Sequence, residues 1–189
     1  MKEFNILLIV LIILFIFTNK IRKNIHLELV QSKVNNVKYY VRKLPDKQKA
    51  ADKFGELSLQ LVQLIESLKN KNKKGISRLV HKFNPDIITE NIPGSSHVAY
   101  SVNKGEELSI CIRKINTNEF IDNNTILFVA IHELAHIMSE STGHTPEFWD
   151  NMKYLLEQAS EINIYQPIDY SKNPVIYCGQ EINSTPMNL

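Results

Sequence analysis

The sequence predicts an α+β domain, in which a small antiparallel sheet packs on a buried helix, preceded by a transmembrane helix. Two patterns predict the domain: three long segments with apolar residues at helical steps, and two alternating apolar runs joined by a short polar loop. An unbroken apolar run near the N-terminus predicts the transmembrane helix. The chain has 189 residues, of which 43% are hydrophobic, so it can bury a core. This composition excludes wholesale disorder, and 2 cysteines are too few for a disulfide scaffold.

Charge is distributed unevenly along the chain, although the formal net charge is only +2. Residues 20–74 carry 14 Lys and Arg against 5 Asp and Glu, a net charge of +9. Residues 75–189 carry 7 against 14, a net charge of −7. A basic first part joined to an acidic remainder indicates two roles or two environments. Because the acidic part repels phosphate, a nucleic-acid partner is possible but not favoured.

The N-terminal segment is predicted to anchor the chain in a membrane. Residues 6–17 contain no polar side-chain atom. This apolar run and its nearest neighbours make a stretch of about 15 residues that a bilayer would accept, or roughly 22 Å of helix. The stretch is short, because a bilayer core is roughly 30 Å thick. We expect Lys2 and Lys20 to close that gap by reaching the two interfaces. The interpretation is an uncleaved anchor over residues 1–24, with a cleaved signal peptide and a buried core helix as alternatives.

Flanking charge predicts the orientation of the anchor. Lys20, Arg22 and Lys23 follow the apolar run, and positive residues stay on the cytoplasmic side. We therefore expect a single-pass membrane protein whose residues 20–189 face the cytosol.

Residues 25–45 are predicted to form a basic stalk with a possible first strand. We expect this stalk to lie on anionic headgroups, with a plain solvated surface as the alternative. Cys111 and Cys178 agree with a reducing compartment, and Cys178 is interpreted as a small buried apolar residue.

The first helix of the domain is predicted to begin after Pro45. Asp46 is a plausible N-cap, and apolar residues then recur at helical steps over about 22 residues. A lysine-rich loop follows up to Gly75, and a short helix is predicted at 76–83.

A β-hairpin is predicted from two apolar runs, residues 98–102 and 108–113, joined by a polar loop. An exposed edge at 107–113 would allow an extended peptide to pair with the sheet. An ordinary sheet strand is an equally good interpretation of the same pattern.

Two further helices complete the predicted domain. Residues 125–141 are apolar nearly all round, which indicates a buried helix. A third long helix begins at Pro146 with Thr145 as its N-cap. Residues 165–189 are predicted to form an ordered but irregular tail.

The chemistry is predicted to lie on the buried helix and just after it. The motif His132-Glu133-Leu-Ala-His136 places two imidazoles one helical turn apart, so that both can bind one metal ion. His144 is the candidate third ligand, because Gly143 can adopt the left-handed conformation that turns the chain back. A carboxylate on the next helix, Glu157 or Glu161, is the alternative third ligand.

The motif predicts peptide-bond hydrolysis with zinc as the metal. Three protein ligands and one open position are typical of catalytic zinc. Glu133 is predicted to act as general base, taking a proton from water and passing it to the leaving amine. Tyr165, Tyr170 and Tyr177 are weaker candidates for stabilising the oxyanion.

The motif and the residues after it resemble a known family. His132-Glu-Leu-Ala-His136 followed by Gly143-His144-Thr-Pro-Glu-Phe-Trp149 resembles the WLM metalloproteases, within the broader SprT/Spartan-like zincins. Other stretches, for example Tyr100-Ser-Val-Asn-Lys-Gly-Glu106, are similar to WLM proteins of large DNA viruses. The resemblance covers roughly residues 39–180 and implies a viral protein.

The resemblance implies a zincin-like metalloprotease domain, placed here at residues 46–189. It implies that His132, His136 and His144 bind Zn²⁺ and that Glu133 is the catalytic carboxylate. The expected function is that of a membrane-anchored zinc metallopeptidase acting on protein or peptide substrates. Two alternatives are a structural protein of a viral membrane with a zinc site, and a DNA-dependent protease that cleaves DNA–protein crosslinks, as cellular members of the family do.

Overall fold

The computed structural model describes residues 25–92, 99–102 and 107–187, which form an α+β domain. Its strands are β1 (Leu27–Gln31), β2 (Lys38–Arg42), β3 (Ile88–Glu90), β4 (Ala99–Val102), β5 (Glu107–Ile110), β6 (Val175–Tyr177) and β7 (Gln180–Ile182). Its helices are α1 (Lys47–Leu68), α2 (Ile76–Lys82), α3 (Asn123–Met138) and α4 (Pro146–Glu161). A turn of 3₁₀ helix at Pro85–Ile87 precedes β3.

The main sheet is mixed, not antiparallel as the sequence predicted. Its strand order is β1-β2-β3-β5-β4. β1 pairs with β2 and β4 with β5 in antiparallel fashion, whereas β3 is parallel to both β2 and β5. The β2–β3 pair is parallel because α1 and α2 lie between these strands in the chain and provide the crossover that parallel pairing requires. The predicted hairpin corresponds to β4 and β5 and is confirmed.

The segment predicted as a stalk contributes two strands to this sheet. β1 and β2 pair over five residues each, and Tyr39 and Val41 are fully buried. The Tyr39 ring lies 5.8 Å from that of Phe54 on α1. The alternating pattern of β2 therefore buries one face against α1, as expected of a strand with one solvated face.

The helices begin close to the predicted residues, and their first turns explain why. The Asp122 carboxylate accepts a hydrogen bond from the Thr125 N–H at 2.8 Å and starts α3. The Thr145 hydroxyl accepts one from the Phe148 N–H at 3.4 Å and starts α4. α3 ends at Met138, three residues before the predicted end, because Ser139 adopts an extended conformation.

A buried arginine joins three parts of the domain. Arg113, just beyond β5, is 2% exposed and donates from Nε to the Glu90 carboxylate at 2.8 Å. Its Nη1 and Nη2 atoms donate to the Asp46 carboxylate at 2.7 and 2.9 Å. Asp46 occupies the N-cap position of α1 but makes no side-chain cap to that helix. Its carboxylate instead ties the start of α1 to the sheet.

The C-terminal segment is held on the sheet by a disulfide and a second hairpin. Cys178 is bonded to Cys111, which follows β5 directly. The Tyr177 hydroxyl donates to the Cys111 carbonyl at 2.7 Å. The interpretation of two thiols in a reducing compartment is therefore wrong for this structure. β6 and β7 were also not predicted, since each has three residues.

The transmembrane part of the predicted fold is corrected. Among the residues that the structure describes, no helix is both long and apolar enough to cross a membrane. The 22-residue α1 has a polar face, and the apolar α3 has 16 residues and is buried. The predicted anchor, residues 1–24, lies outside the described residues. The predicted single-pass membrane localisation with a cytosol-facing domain is accordingly not retained.

Candidate metal centre

The site is built on α3, which packs against α1, α4 and the β4–β5 hairpin. His132 and His136 lie one turn apart on this helix, and their ring centroids are 4.9 Å apart. Both side chains are half-buried, whereas nearly all the rest of α3 is buried. α3 is therefore a buried helix that exposes two imidazoles at the surface of the domain and fixes the distance between them.

The third imidazole comes from the loop between α3 and α4. Gly143 has φ 80°, the left-handed conformation expected from its position before His144. The His144 ring then lies 4.9 Å from that of His132 and 5.0 Å from that of His136. One ring nitrogen from each of the three lies within 4.8 Å of the others. The structure therefore brings together the three histidines that the sequence singled out.

The electrostatic state of the site suits a metal ion. Burial, and then the neighbouring imidazoles of His136 and His144, lower the pKa of His132 to about 3. The His132 ring is therefore unprotonated at neutral pH, which is the form that binds a metal.

Phe148 supports all three imidazoles from α4. Its ring centroid lies 4.8 Å from His132, 4.3 Å from His136 and 4.7 Å from His144, and its side chain is fully buried. The same ring contacts Trp149 at 5.0 Å. The Thr145 cap fixes the first turn of α4, and this places the Phe148 ring beneath the site.

The loop that carries His144 is held by a carboxylate. Glu147 accepts hydrogen bonds from the Ser141 hydroxyl at 2.7 Å, the Ser141 N–H at 2.9 Å and the Glu140 N–H at 3.1 Å. These bonds lower the pKa of Glu147 to about 2. Asn151 donates to the Ser139 hydroxyl at 2.9 Å, and that hydroxyl donates to the Ala135 carbonyl. Both ends of the loop are therefore fixed to helices.

Glu133 lies on α3 beside the first imidazole and is 6% exposed. Burial raises the pKa of Tyr177, and the charge of Glu133 raises it further. The Tyr177 hydroxyl donates a hydrogen bond to the Cys111 carbonyl.

The alternative candidates do not join the cluster. Glu157 forms an ion pair with Lys153, and Glu161 accepts a hydrogen bond from Gln158. In the described part of the chain, the group able to hold a metal comprises the three histidines without either carboxylate. Tyr165 and Tyr170 are buried against the ring of Phe128.

Sequence reasoning missed the residues that position the ligands. Glu147 and Phe148 entered the sequence analysis only as part of the stretch that resembles the WLM family, with no role of their own. Asn151 offered a signal, since it is a polar residue beside the buried face of α4. Arg78 donates to the Met138 carbonyl at 3.2 Å and to Glu140 at 2.7 Å, a contact between distant segments that no local pattern indicates.

A mixed sheet on a helix with two histidines one turn apart, completed by a third from the next loop, defines an α+β metalloprotease-type domain. Residues 41–185 match the WLM domain family, and the chain belongs to that family. The resemblance inferred from the motif is thereby confirmed, and with it membership of a metalloprotease family whose members use a metal ion.

Two viral proteins and one solved structure are also similar to this chain. The chain is 31% identical to "Uncharacterized protein R325" of Acanthamoeba polyphaga mimivirus, over 95% of this chain and 94% of that protein. It is 26% identical to "Uncharacterized protein 136R" of Invertebrate iridescent virus 6, over 71% of this chain and 79% of that protein. The crystal structure of Wss1 from Saccharomyces cerevisiae aligns with a TM-score of 0.50 at 18% identity, covering 65% of this chain and 86% of that one. This last likeness supports the fold.

Proposed function

We propose that this chain is a zinc-dependent peptidase that cleaves polypeptide substrates. His132, His136 and His144 bind the metal, and Glu133 is the general base. The observation that carries the proposal is the convergence of three ring nitrogens within 4.8 Å, with Glu133 next to the first ligand on the same helix.

The donor set suits zinc. Three imidazole nitrogens from a helix and its following loop are a usual ligand set for catalytic zinc, and they leave one position open. His132 is unprotonated at neutral pH, and the exposed His144 leaves the site accessible from solvent. When bound, zinc supplies Lewis-acid polarisation of a carbonyl and makes water more acidic.

Glu133 performs the proton transfers in this mechanism. Its carboxylate takes a proton from the attacking water and gives it to the nitrogen of the leaving amine. Because Glu133 is buried on α3 and follows His132 directly, its place beside the first imidazole is set before substrate binds.

The edge of the sheet provides a place for the substrate backbone. Among the described residues, β5 lies between β3 and β4, so the edge strand on this side of the sheet is β4 and not the segment 107–113 considered from the sequence. β4 also packs against α3. We propose that an extended substrate pairs with β4 and thereby places a peptide bond at the three imidazoles.

A DNA-dependent protease is the second candidate function. A groove of about 630 Å³ beside α2 is lined by Lys69, Lys71 and Lys73, and it favours an anionic partner. Lys73 is paired with Asp150 and Lys69 with Glu66, so part of this positive charge is already compensated.

Removal and return of the metal test the proposal. We expect the full chain to bind about one zinc per chain and to cleave unfolded casein. A chelator should abolish cleavage, and zinc should restore it whereas magnesium should not. Adding single-stranded DNA separates the two candidates, because a simple peptidase keeps its rate and a DNA-dependent protease is accelerated. Full cleavage by the metal-free chain would contradict both.

A further inference from the structure

A groove beside the proposed metal centre has no role in the mechanism above. It lies between the first turns of α4 and the C-terminal segment, and its volume is about 440 Å³. It is lined by Trp149, Asp150, Lys153, Ser184, Thr185 and Pro186.

Trp149 connects this groove to the metal centre. Its side chain is 40% exposed, and its ring centroid lies 5.5 Å from that of His144 and 5.0 Å from that of Phe148. A group that contacts the Trp149 ring is therefore separated from the proposed metal ligand His144 by that ring alone. A substrate bound at the metal would place a side chain near its scissile bond within reach of this ring.

Each of the two charged side chains that line the groove has an ion-pair partner outside it. The Asp150 carboxylate pairs with Lys73 at 2.6 Å, and Lys153 lies 4.0 Å from Glu157. The remaining wall consists of an indole, a proline ring and two small hydroxyl side chains. A groove of this kind favours an apolar occupant, because burial of apolar surface against an indole is stabilising.

We propose that this groove is a specificity subsite that receives an apolar or aromatic side chain of the polypeptide substrate, next to the bond that is cut. The inference rests on the proposed peptidase function and adds the substrate class. Trp149 acts in it as a binding residue that selects the substrate, and Glu133 remains the catalytic residue.

The chain contains 1 tryptophan, so its fluorescence reports on this groove directly. We would titrate the zinc-loaded full chain carrying Glu133→Gln with two peptides that differ at one position, leucine in one and glutamate in the other. The leucine peptide should change the tryptophan emission with a Kd about tenfold lower than the glutamate peptide. Because no turnover is needed, a failure of the peptidase proposal would leave this measurement intact.

Cleavage measurements with the Glu133-containing chain complete the test. Trp149→Ala should lower kcat/KM for the leucine peptide about tenfold more than for the glutamate peptide. Trp149→Phe should keep most of the preference, and Leu59→Ala, an exposed apolar residue on α1, should keep all of it. Zinc content is measured in each variant, since Trp149 contacts a proposed ligand.

Three results would overturn the inference. One is an equal loss of kcat/KM for both peptides in Trp149→Ala, which would indicate a structural role. Another is an emission spectrum that the leucine peptide leaves unchanged. The third is a response to an oligothymidine but to neither peptide, which would assign the groove to nucleotide bases.

Discussion

At the residue scale, one phenylalanine supports the three imidazoles. Phe148 contacts His132, His136 and His144 at ring distances of 4.3 to 4.8 Å and is fully buried. Because this ring packs against all three imidazoles and holds them in place, we expect the affinity for metal to depend on it.

Replacement of Phe148 should separate metal binding from general stability. We expect Phe148→Ala to lower the free energy of unfolding by about 3–5 kcal/mol, because it leaves a cavity, and to weaken zinc binding about tenfold. Phe54→Ala is the matched control, since Phe54 is equally buried but packs against Tyr39. It should cost similar stability without a change in zinc affinity. Urea unfolding and competition with a chromophoric chelator measure the two effects, and equal losses of zinc affinity in both variants would refute the role of Phe148.

At the element scale, the loop between α3 and α4 depends on contacts that reach back from α4. Glu147 accepts three hydrogen bonds from Glu140 and Ser141, and Asn151 binds Ser139. Gly143 supplies the turn, but these contacts determine where the turn points. The position of His144 therefore depends on the organisation of a loop, whereas His132 and His136 are positioned by the helix.

Loss of the Glu147 carboxylate should release this loop. We expect Glu147→Gln to weaken zinc binding about tenfold, and Glu157→Gln on the same helix to leave it unchanged. The pKa of Glu147 is lowered from 4.5 to about 2, so its stabilising effect is present above about pH 4.5 and is lost as the pH falls towards 2. The difference in melting temperature between wild type and Glu147→Gln should therefore disappear over that range. A difference that persists at pH 2 would contradict the assignment.

The disulfide connects the β6–β7 hairpin to the end of β5. Cys111 and Cys178 are separated by 67 residues, so their bond constrains a long loop in the unfolded chain. Reduction should lower the free energy of unfolding by about 2–4 kcal/mol. Thermal unfolding with and without dithiothreitol checks this, with the Cys111→Ser, Cys178→Ser double variant as the control that should not respond. Alkylation of both thiols in the unreduced, denatured chain would show that the bond does not form.

At the scale of the whole molecule, the basic and acidic parts of the sequence contact each other. Lys73 pairs with Asp150 at 2.6 Å, and Lys74 pairs with Glu140 at 3.2 Å. Part of the positive charge of the basic part is therefore neutralised by carboxylates of the acidic part. These ion pairs form where the lysine loop contacts the end of α3 and the start of α4. The sequence analysis placed the basic stalk, residues 25–45, on anionic headgroups and predicted no partner for the lysine loop.

Arg113 should contribute strongly to the stability of the domain. Arg113→Met would leave the 2% exposed Glu90 carboxylate buried without its cationic partner, and we expect a loss of about 3–5 kcal/mol in the free energy of unfolding. Lys114→Met is the neighbouring control, since its pair with Glu119 is exposed, and it should unfold like the wild type. Urea denaturation followed by circular dichroism compares them. Equal unfolding midpoints for the two variants would contradict the assigned role of Arg113.

Local patterns predicted the helices and the three-histidine cluster, because helix periodicity, the cap at Thr145 and the spacing of His132 and His136 are properties of neighbouring residues. Non-local features were predicted poorly. β3 has only three residues, and its parallel pairing depends on how α1 and α2 pack. The Cys111–Cys178 bond and the contacts of Phe148 join segments whose proximity arises only in the folded chain. The transmembrane interpretation rested on residues that the described fold does not include.

The most direct test of the account is to measure bound zinc and peptide-bond cleavage together in wild type and Glu133→Gln. We expect about one zinc per chain in both proteins, with cleavage lowered about 100-fold or more in the variant because the general base is lost. Glu157→Gln should match the wild type in both measurements. Absence of zinc from the wild type, or undiminished cleavage by Glu133→Gln, would contradict the proposed peptidase mechanism.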